Sequence, residues 1–306
     1  MVDLRVSLSG LTLDNPVIPA SGCFGYGREF AELYDLRVLG SFSFKGTTLQ
    51  PRFGNPTPRI AEADAGMLNA VGLQNPGIDA VLAEELPNIA RIYGKPVLAN
   101  IGGFSVEDFC TCCEKIGDRP EIGIIELNIS CPNVHAGGTN FGSTPAGAAE
   151  VVRAARRVTK KPLYAKLSPN VADIAEVARA CEDAGADGLS LINTLVGMRI
   201  DIKKRRPVLA NTLGGLSGPA IFPVALRMVW QAAAAVKIPV IGMGGVDSAE
   251  KVVEMMEAGA AAVEIGAANL VDPLAAKKII EALPGVLAGL GVSRIADLTG
   301  AARPQA

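Results

Sequence analysis

Short apolar runs rich in β-branched residues recur along the chain, and each has the length of a buried strand. The runs are Pro16–Ala20, Val38–Phe44, Pro96–Ile101, Gly123–Asn128, Pro162–Leu167, Gly188–Asn193, Pro239–Met243 and Ala262–Gly266. Segments with helical spacing separate most of them. Eight strands that alternate with helices predict a parallel sheet, and their number favours closure into an α/β (β/α)8 TIM barrel. A doubly wound open sheet is the alternative fold.

The intervening segments give the boundaries of two helices and two insertions. Ala172–Ala184 carries its apolar residues on one face, and Ser248–Ala258 opens with a serine cap and closes at Gly259. Thr47–Gln74 and Leu195–Gly218 do not fit the strand–helix repeat. Both follow strand ends, so we expect them to be loops over the C-terminal, active-site face of the barrel.

Composition narrows the class of protein. The 306 residues are 49% hydrophobic with a net charge of -2, which suits a single barrel domain spanning 1–306. The absence of a basic block argues against nucleic-acid and anionic-membrane binding. No apolar run approaches the roughly 20 residues of a spanning helix, and Met1–Arg5 does not resemble a signal peptide. Six cysteines in such a chain predict free thiols and a cytoplasmic location.

Polar side chains cluster where the fourth apolar run ends. Asn128, Ser130, Cys131 and Asn133 supply two amides, a hydroxyl and a thiol. Pro132 restricts Cys131 to an extended conformation, and glycines follow in the next loop. A stiffly held thiol among amides suits base chemistry on a small polar heterocycle. A buried structural cysteine remains the other interpretation.

Glycines follow the seventh and eighth strand candidates. Gly244 and Gly245 close one, Gly266 closes the other, and Gly214–Gly218 offers a third cluster. Glycine lets backbone N–H groups approach phosphate oxygens, and this barrel binds phosphate after strands seven and eight. Three clusters favour a phosphate site over tight turns without a ligand.

Two lysines terminate apolar runs at the same predicted rim. Lys45 ends the second run and Lys166 ends the fifth. They suit a carboxylate and an electron-rich ring edge. Two other classes stay open on these residues: a Schiff-base aldolase with Lys166 as nucleophile, and a non-catalytic phosphate-binding barrel.

The motifs in combination resemble class 1 dihydroorotate dehydrogenases. The resemblance is carried by Asn128–Asn133, Asn69–Gly77 and Ile192–Thr194, and it extends from Ser21 to the Gly266 region. The segments Val134–Gly142 and Lys45–Thr48 are most similar to class 1B, the subclass that pairs with a separate electron-transfer subunit. Cys131 stands where the membrane-bound class 2 enzymes carry serine.

The resemblance implies oxidation of dihydroorotate to orotate on FMN, with Cys131 as the base. The substrate-binding positions it implies are Lys45, Asn69, Val71, Gly72, Leu73, Asn128, Asn133, Asn193 and Thr194. The implied flavin contacts are Ser21, Lys45, Gly46, Asn100, Asn128, Lys166, Ile192, Gly218, Gly244, Gly245, Gly266 and Ala267. Ala267 replaces the hydroxyl residue usual in the family, so one phosphate contact is expected to be missing.

The chain has no G-x-G-x-x-G turn after a strand candidate and no iron–sulfur spacing of its cysteines. The class 1B resemblance therefore implies a partner subunit carrying FAD and a [2Fe–2S] cluster, with a homodimer of this chain inside a heterotetramer. A fumarate-linked class 1A enzyme and an FMN-dependent dihydropyrimidine or dihydrouridine oxidoreductase are the alternatives.

Three further features are assigned no catalytic role. Cys110, Cys112 and Cys113 lack a second half-site, so they are predicted to be structural thiols and no metal is expected. His135, the single histidine, is predicted to be solvated rather than paired with Cys131. Phe141 is predicted either to cover the substrate or to pack.

Overall fold

The structure is a computed structural model that describes residues 2–130 and 141–304. These residues form strands that are short, as expected from the lengths of the apolar runs. The strands are β1 (Val6–Leu8), β2 (Leu11–Leu13), β3 (Val17–Pro19), β4 (Ile60–Ala63), β5 (Gly66–Asn69), β6 (Val97–Ile101), β7 (Ile122–Asn128), β8 (Leu163–Lys166), β9 (Gly188–Leu191), β10 (Leu195–Gly197), β11 (Ile200–Asp201), β12 (Arg206–Pro207), β13 (Gly214–Ser217), β14 (Val240–Met243) and β15 (Ala262–Ile265).

Seven of these strands form one parallel sheet in the order β3-β15-β14-β9-β8-β7-β6. Apolar side chains dominate them on both faces, because a parallel sheet is covered by helices outside and packed side chains inside. The seven strands correspond to seven of the eight predicted runs, with boundaries within two residues of those expected.

The eighth run closes the sheet without forming a regular strand. Ser43 donates its N–H to Pro19 of β3 at 2.9 Å, and Phe44 donates to Leu98 of β6 at 3.1 Å. Isolated parallel bridges join Ser43 to Leu98 and Thr47 to Ile101. The predicted strand Val38–Phe44 is therefore corrected to a bridging segment, residues 40–47, preceded by a 3-10 turn at Leu36–Val38. The closed circuit confirms the (β/α)8 barrel and excludes the open, doubly wound sheet.

Helices surround this sheet, and polar caps begin several of them. The helices are α1 (Arg28–Ala31), α2 (Ile78–Ala80), α3 (Leu86–Ile92), α4 (Val106–Ile116), α5 (Pro145–Val158), α6 (Ile174–Asp183), α7 (Phe222–Ala235), α8 (Ala249–Glu257), α9 (Ala268–Val271) and α10 (Ala275–Gly289). A π-helical turn, Val81–Glu85, joins α2 to α3. Ser248 Oγ accepts the N–H of Lys251 at 3.3 Å, and Gly259 follows α8 with φ of 124°, so the predicted cap and stop are confirmed.

The two predicted insertions pair with each other. Strands β4 and β5 come from Thr47–Gln74, β10 and β13 come from Leu195–Gly218, and together they form an antiparallel sheet in the order β10-β13-β5-β4. Gly215 lies opposite Asn69 in this sheet. Each insertion follows the carboxyl end of a barrel strand, so the sheet is one wall of the barrel's C-terminal face.

Several residues outside the site have structural positions. Cys112 and Cys113 of α4 are buried in the apolar core, while Cys110 is partly exposed. Phe141 packs edge-on against Phe109, with ring centroids 6.1 Å apart. His135 lies outside the described residues. Within the described ranges, no helix has the length and apolarity needed to cross a membrane.

Candidate active site

A cleft of about 310 Å³ opens at the carboxyl ends of the barrel strands, beneath the inserted sheet. Most residues singled out from the sequence line it, because they lie at or after the carboxyl ends of barrel strands or in the inserted segments. These lining residues are Ser21, Lys45, Gly46, Asn69, Val71, Gly72, Leu73, Asn128, Lys166, Ile192, Asn193, Thr194, Gly218, Gly244, Gly245, Gly266 and Ala267.

One predicted residue is placed differently, and two others lie outside the described residues. Asn100 is fully buried behind the cleft wall and touches Asn128 rather than the open space. Cys131 and Asn133 lie outside the described residues, so their predicted roles rest on the sequence. Ser130, the last described residue before Cys131, is buried at this end of β7.

The floor of the cleft contains a charge cluster that the sequence analysis did not single out. Lys166 Nζ lies 3.4 Å from Glu264 Oε2 and 3.8 Å from Glu126 Oε2. Both glutamates are 0% exposed, and Lys166 is 5% exposed. Each glutamate interrupts an otherwise apolar strand, β7 or β15, and this break in the pattern was the available signal.

Glu126 receives hydrogen bonds from three side chains. Ser43 Oγ donates at 2.9 Å, Ser190 Oγ donates at 2.6 Å, and Asn100 Nδ2 donates to the same carboxylate. Burial alone would raise the pKa of Glu126, but the charge of Lys166 and these hydrogen bonds lower it overall. Glu126 is therefore an anion fixed in the core of the barrel.

The other two members of the cluster respond to Glu126. Burial would lower the pKa of Lys166, but the attraction of Glu126 and Glu264 raises it overall, so its ammonium is retained. Burial and then repulsion from Glu126 raise the pKa of Glu264 well above its usual value. The cleft floor thus presents one ammonium group, that of Lys166, which the buried Glu126 and Glu264 hold in place.

A chain of amides runs from Glu126 to the residue next to Cys131. Because an ionised carboxylate only accepts, Asn100 must turn its NH2 toward Glu126 and its Oδ1 toward Asn128. Asn128 Nδ2 donates to that oxygen at 3.3 Å, and Asn193 Nδ2 donates in turn to Asn128 Oδ1 at 3.3 Å. Asn193 Nδ2 also donates to Ser130 Oγ at 2.7 Å. The carboxylate thereby sets the orientation of each amide in the cleft.

The loop after β5 presents backbone donors. Gly72 and Leu73 have φ of 78° and 56°, and the carbonyl groups of Ala70 to Leu73 all accept hydrogen bonds, from Asn55, Arg52 and Asn75. Within residues 2–130 and 141–304, no group accepts from the N–H groups of Val71, Gly72 and Leu73. Donors held on the cleft wall in this way suit an anionic group.

A second set of backbone donors lines the same cleft. No described residue accepts a hydrogen bond from the N–H groups of Gly244, Gly245, Gly266 or Ala267. Gly245 has φ of 73°, and a Cβ there would lie 2.7 Å from the Gly218 carbonyl oxygen. The close approach requires glycine and leaves a cradle that fits a phosphate group.

A barrel whose strand ends carry an ammonium group, oriented amides and unpaired backbone donors defines an enzyme of the ligand-binding (β/α)8 class. The sequence model described as dihydroorotate dehydrogenase matches residues 3–287. The chain therefore belongs to the dihydroorotate dehydrogenase family.

Comparison with known proteins supports this assignment. The chain is 56% identical over 297 residues to the dihydroorotate dehydrogenase B (NAD(+)) catalytic subunit of Anoxybacillus flavithermus, covering 97% of this chain and 95% of the relative. It is 57% identical to the protein of the same name from Bacillus pumilus, covering 97% and 96%. The crystal structure of the Eimeria tenella DHODH in complex with ferulenol shares the fold, with a TM-score of 0.82, 21% identity, and coverage of 99% and 89%.

Proposed function

We propose that this chain is the FMN-binding catalytic subunit of an NAD-linked dihydroorotate dehydrogenase and oxidises dihydroorotate to orotate in pyrimidine biosynthesis. The observation that carries the proposal is that Lys45, the backbone donors after Asn69, and the amides of Asn128 and Asn193 line one cleft beside Lys166. The relatives named above are dihydroorotate dehydrogenase catalytic subunits. We take 1–306 to be a single barrel domain.

FMN fits the residues present. The N–H groups of Gly244, Gly245, Gly266 and Ala267, which have no acceptor among the described residues, suit its phosphate, and Gly218 and Ile192 line the same cleft. The other lining residues assigned to it are Ser21, Lys45, Gly46 and Asn128, with Asn100 behind them. When bound, FMN supplies the acceptor for a hydride. Lys166 offers a buried ammonium group to the negative charge of the reduced acceptor.

The substrate assignment follows from Lys45, the loop after β5 and the amides that line the cleft. Lys45 and the N–H groups of Val71, Gly72 and Leu73 would hold the carboxylate by charge-assisted hydrogen bonds. The pyrimidine ring has paired C=O and N–H groups, which suit amides that donate and accept. The amides assigned to it are those of Asn69, Asn128, Asn133 and Asn193, next to Thr194.

Cys131 is proposed as the base that removes the proton from the substrate carbon. In the sequence it follows Ser130, whose hydroxyl accepts a hydrogen bond from Asn193 Nδ2 at 2.7 Å and so belongs to the described amide chain. A free thiol has a pKa of about 8.5 and needs only modest assistance to act as a thiolate near neutrality.

The electrons are proposed to leave through a second subunit that carries FAD and a [2Fe–2S] cluster and binds a homodimer of this chain. The words "catalytic subunit" in the relatives' names support a separate partner. The described cysteines, all free thiols, are consistent with the proposed cytoplasmic location.

The buried ion pairs of Lys166 disfavour the Schiff-base aldolase alternative. An aldolase lysine must be a neutral amine to attack a carbonyl, whereas the pKa of Lys166 is raised by its glutamate partners. The carboxylate site separates dihydroorotate from uncarboxylated dihydropyrimidines and dihydrouridine.

Visible spectroscopy tests the proposal. The purified protein should be yellow, and anaerobic dihydroorotate should bleach the flavin band while dihydrouracil does not. Cys131→Ala should retain the flavin but reduce it several hundred-fold more slowly, which is within the range for loss of a positioned base. Cys131→Ser is the matched control and should recover part of the rate at high pH. A colourless protein, or bleaching by dihydrouracil alone, would contradict the assignment.

A further inference from the structure

Two carboxyl groups share one ammonium group inside the barrel. Glu126 projects from β7, Glu264 from β15 and Lys166 from β8, and their side chains are almost completely removed from solvent. Lys166 already belongs to the proposed cofactor site. Neither glutamate lines the cleft, and Glu264 has no role in the mechanism described above.

The charges do not balance if every group is ionised. One ammonium and two carboxylates would leave a net negative charge in a dry interior, and an unpaired buried charge is costly. Two carboxyl groups that share a site avoid this cost when one of them keeps its proton.

The hydrogen bonds decide which carboxyl group keeps the proton. Glu126 accepts from Ser43, Ser190 and Asn100, which stabilise an anion. Glu264 accepts from Lys166 at 3.4 Å through Oε2, and no described group bonds its buried Oε1. The anion therefore resides on Glu126, and the neutral acid is Glu264.

We propose that Glu264 keeps its proton in the folded protein, so that the cluster is electrically neutral, and that it acts through Lys166 as a positioning residue for the cofactor. This second part rests on the proposed function, since it requires FMN in the cleft. The raised pKa of Glu264 and the lowered pKa of Glu126 agree with the geometry.

Few other titratable groups face Glu264. Cys23 follows β3 and interacts with both Glu264 and Lys166, and burial raises its thiol pKa to about 11, so it is neutral at physiological pH. Lys45 adds a more distant positive charge, which acts on the same thiol. The strands that flank β15, β3 and β14, contribute Ile18 and Met243 opposite Glu264, and neither side chain titrates.

The neutral acid has a consequence for the flavin. Lys166 stays charged and is held by Glu126 and Glu264. Because only Glu126 is an anion, a single counter-charge offsets the field of the Lys166 ammonium group, which can therefore still stabilise the negative charge of the reduced cofactor. Ionisation of Glu264 at alkaline pH would add a second counter-charge and disfavour reduction. The reduction potential should therefore fall more steeply with pH in the wild type than in Glu264→Gln.

Infrared spectroscopy tests the proton directly and does not depend on the cofactor. The wild type should show the C=O stretch of a buried neutral carboxylic acid, sensitive to deuterium exchange, and Glu264→Gln should lose it. Glu126→Gln should lose it too, because Glu264 must then ionise to pair with Lys166. Glu254→Gln, an exposed site on α8, is the control and should keep the band. Persistence of the band in Glu264→Gln would overturn the proposal, and this comparison decides even if Glu126→Gln does not fold.

Redox titration of the flavin-loaded protein tests the positioning role. Near neutral pH, Glu264→Gln should leave the flavin potential unchanged, since one neutral group replaces another. At alkaline pH the wild-type potential should fall below that of the variant. A neutral-pH rise of the variant's potential that favours reduced flavin tenfold, about 30 mV for a two-electron couple, would mean that Glu264 is an anion and would overturn the proposal. A protein without flavin would contradict the proposed function and leave the infrared result standing.

Discussion

Asn100 donates from Nδ2 to the carboxylate of Glu126 and accepts on Oδ1 from Asn128 Nδ2 at 3.3 Å. A buried anion thus fixes the orientation of an amide that would otherwise be free to turn over. Asn128 in turn orients Asn193. The buried Glu126 therefore determines which hydrogen-bond donors and acceptors these amides offer to a substrate ring.

The first prediction concerns this relay, the chain of hydrogen-bonded amides Asn100, Asn128 and Asn193. Asn100→Ala removes a donor from a buried carboxylate and an acceptor from Asn128, without touching the open cleft. A hydrogen bond to a charged group contributes about 1.5–3 kcal/mol, so we expect the free energy of unfolding to fall by that amount. Orotate binding should also weaken, because Asn128 loses its fixed orientation. Urea unfolding and orotate titration measure the two effects, and unchanged orotate affinity would contradict the relay.

Residue patterns predicted the strand-end residues better than the layer beneath them. The motif around Asn128 was singled out because amides and a thiol follow a strand at a known functional face, whereas the motifs around Asn69 and Ile192 were assigned through the resemblance to class 1 dihydroorotate dehydrogenases. Glu126 and Glu264 were not identified from the sequence because their partners come from other strands, and only the closed barrel brings these side chains together.

The closure itself was predicted with one error. The run Val38–Phe44 has the composition of a strand, but it makes only scattered hydrogen bonds to Val17, Pro19 and Leu98 and isolated bridges instead of a continuous ladder. Apolar periodicity records burial and does not record where backbone hydrogen bonds are made, so the barrel was predictable and the irregular strand was not.

The second prediction is a pH dependence of stability. A folded-state pKa of Glu264 above its unfolded value means that the folded protein holds a proton that the unfolded chain releases above about pH 4.5. Stability from this group is full below that pH and is lost as pH rises toward the folded pKa, by about 1.4 kcal/mol per pH unit. Glu264→Gln lacks this loss, so its stability relative to wild type should rise as the pH increases above about 4.5. A difference in the free energy of unfolding between the two proteins that stays constant as the pH rises would contradict the predicted sign.

The third prediction compares two glycines of the cradle. A Cβ at Gly245 would meet Gly218 and Phe222 backbone atoms at 2.7 and 2.9 Å, in a backbone conformation that favours glycine. At Gly266 the nearest atoms are 3.8 Å away and φ is not positive. Gly245→Ala should therefore lower both stability and FMN affinity. Gly266→Ala should leave the free energy of unfolding of the cofactor-free protein within about 0.5 kcal/mol of the wild type, which is the usual range for surface substitutions. It should still weaken FMN binding.

Flavin fluorescence quenching and urea unfolding of the cofactor-free variants measure these two quantities separately. The phosphate assignment fails if Gly266→Ala binds FMN as tightly as wild type.

The fourth prediction tests the carboxylate anchor. Lys45 and the backbone donors of Val71 to Leu73 line the same cleft, so Lys45→Ala should weaken orotate binding by about 1.5–3 kcal/mol, or roughly tenfold to 150-fold. Uracil lacks the carboxylate and should bind both proteins equally, which makes it the matched ligand control. Equal losses for orotate and uracil would indicate that Lys45 contacts the ring or the cofactor instead.

The last prediction follows the electrons. The chain has no G-x-G-x-x-G dinucleotide turn after a strand, and its cysteines lack iron–sulfur spacing. Cys112 and Cys113 of α4 are moreover buried in the apolar core, so they cannot bind an iron–sulfur cluster at the surface. We expect the isolated chain to transfer electrons from dihydroorotate to dichlorophenolindophenol but to reduce NAD negligibly, and addition of the electron-transfer subunit to restore NAD reduction. Rapid turnover of the isolated chain with fumarate would instead assign it to class 1A, because that acceptor needs no second subunit.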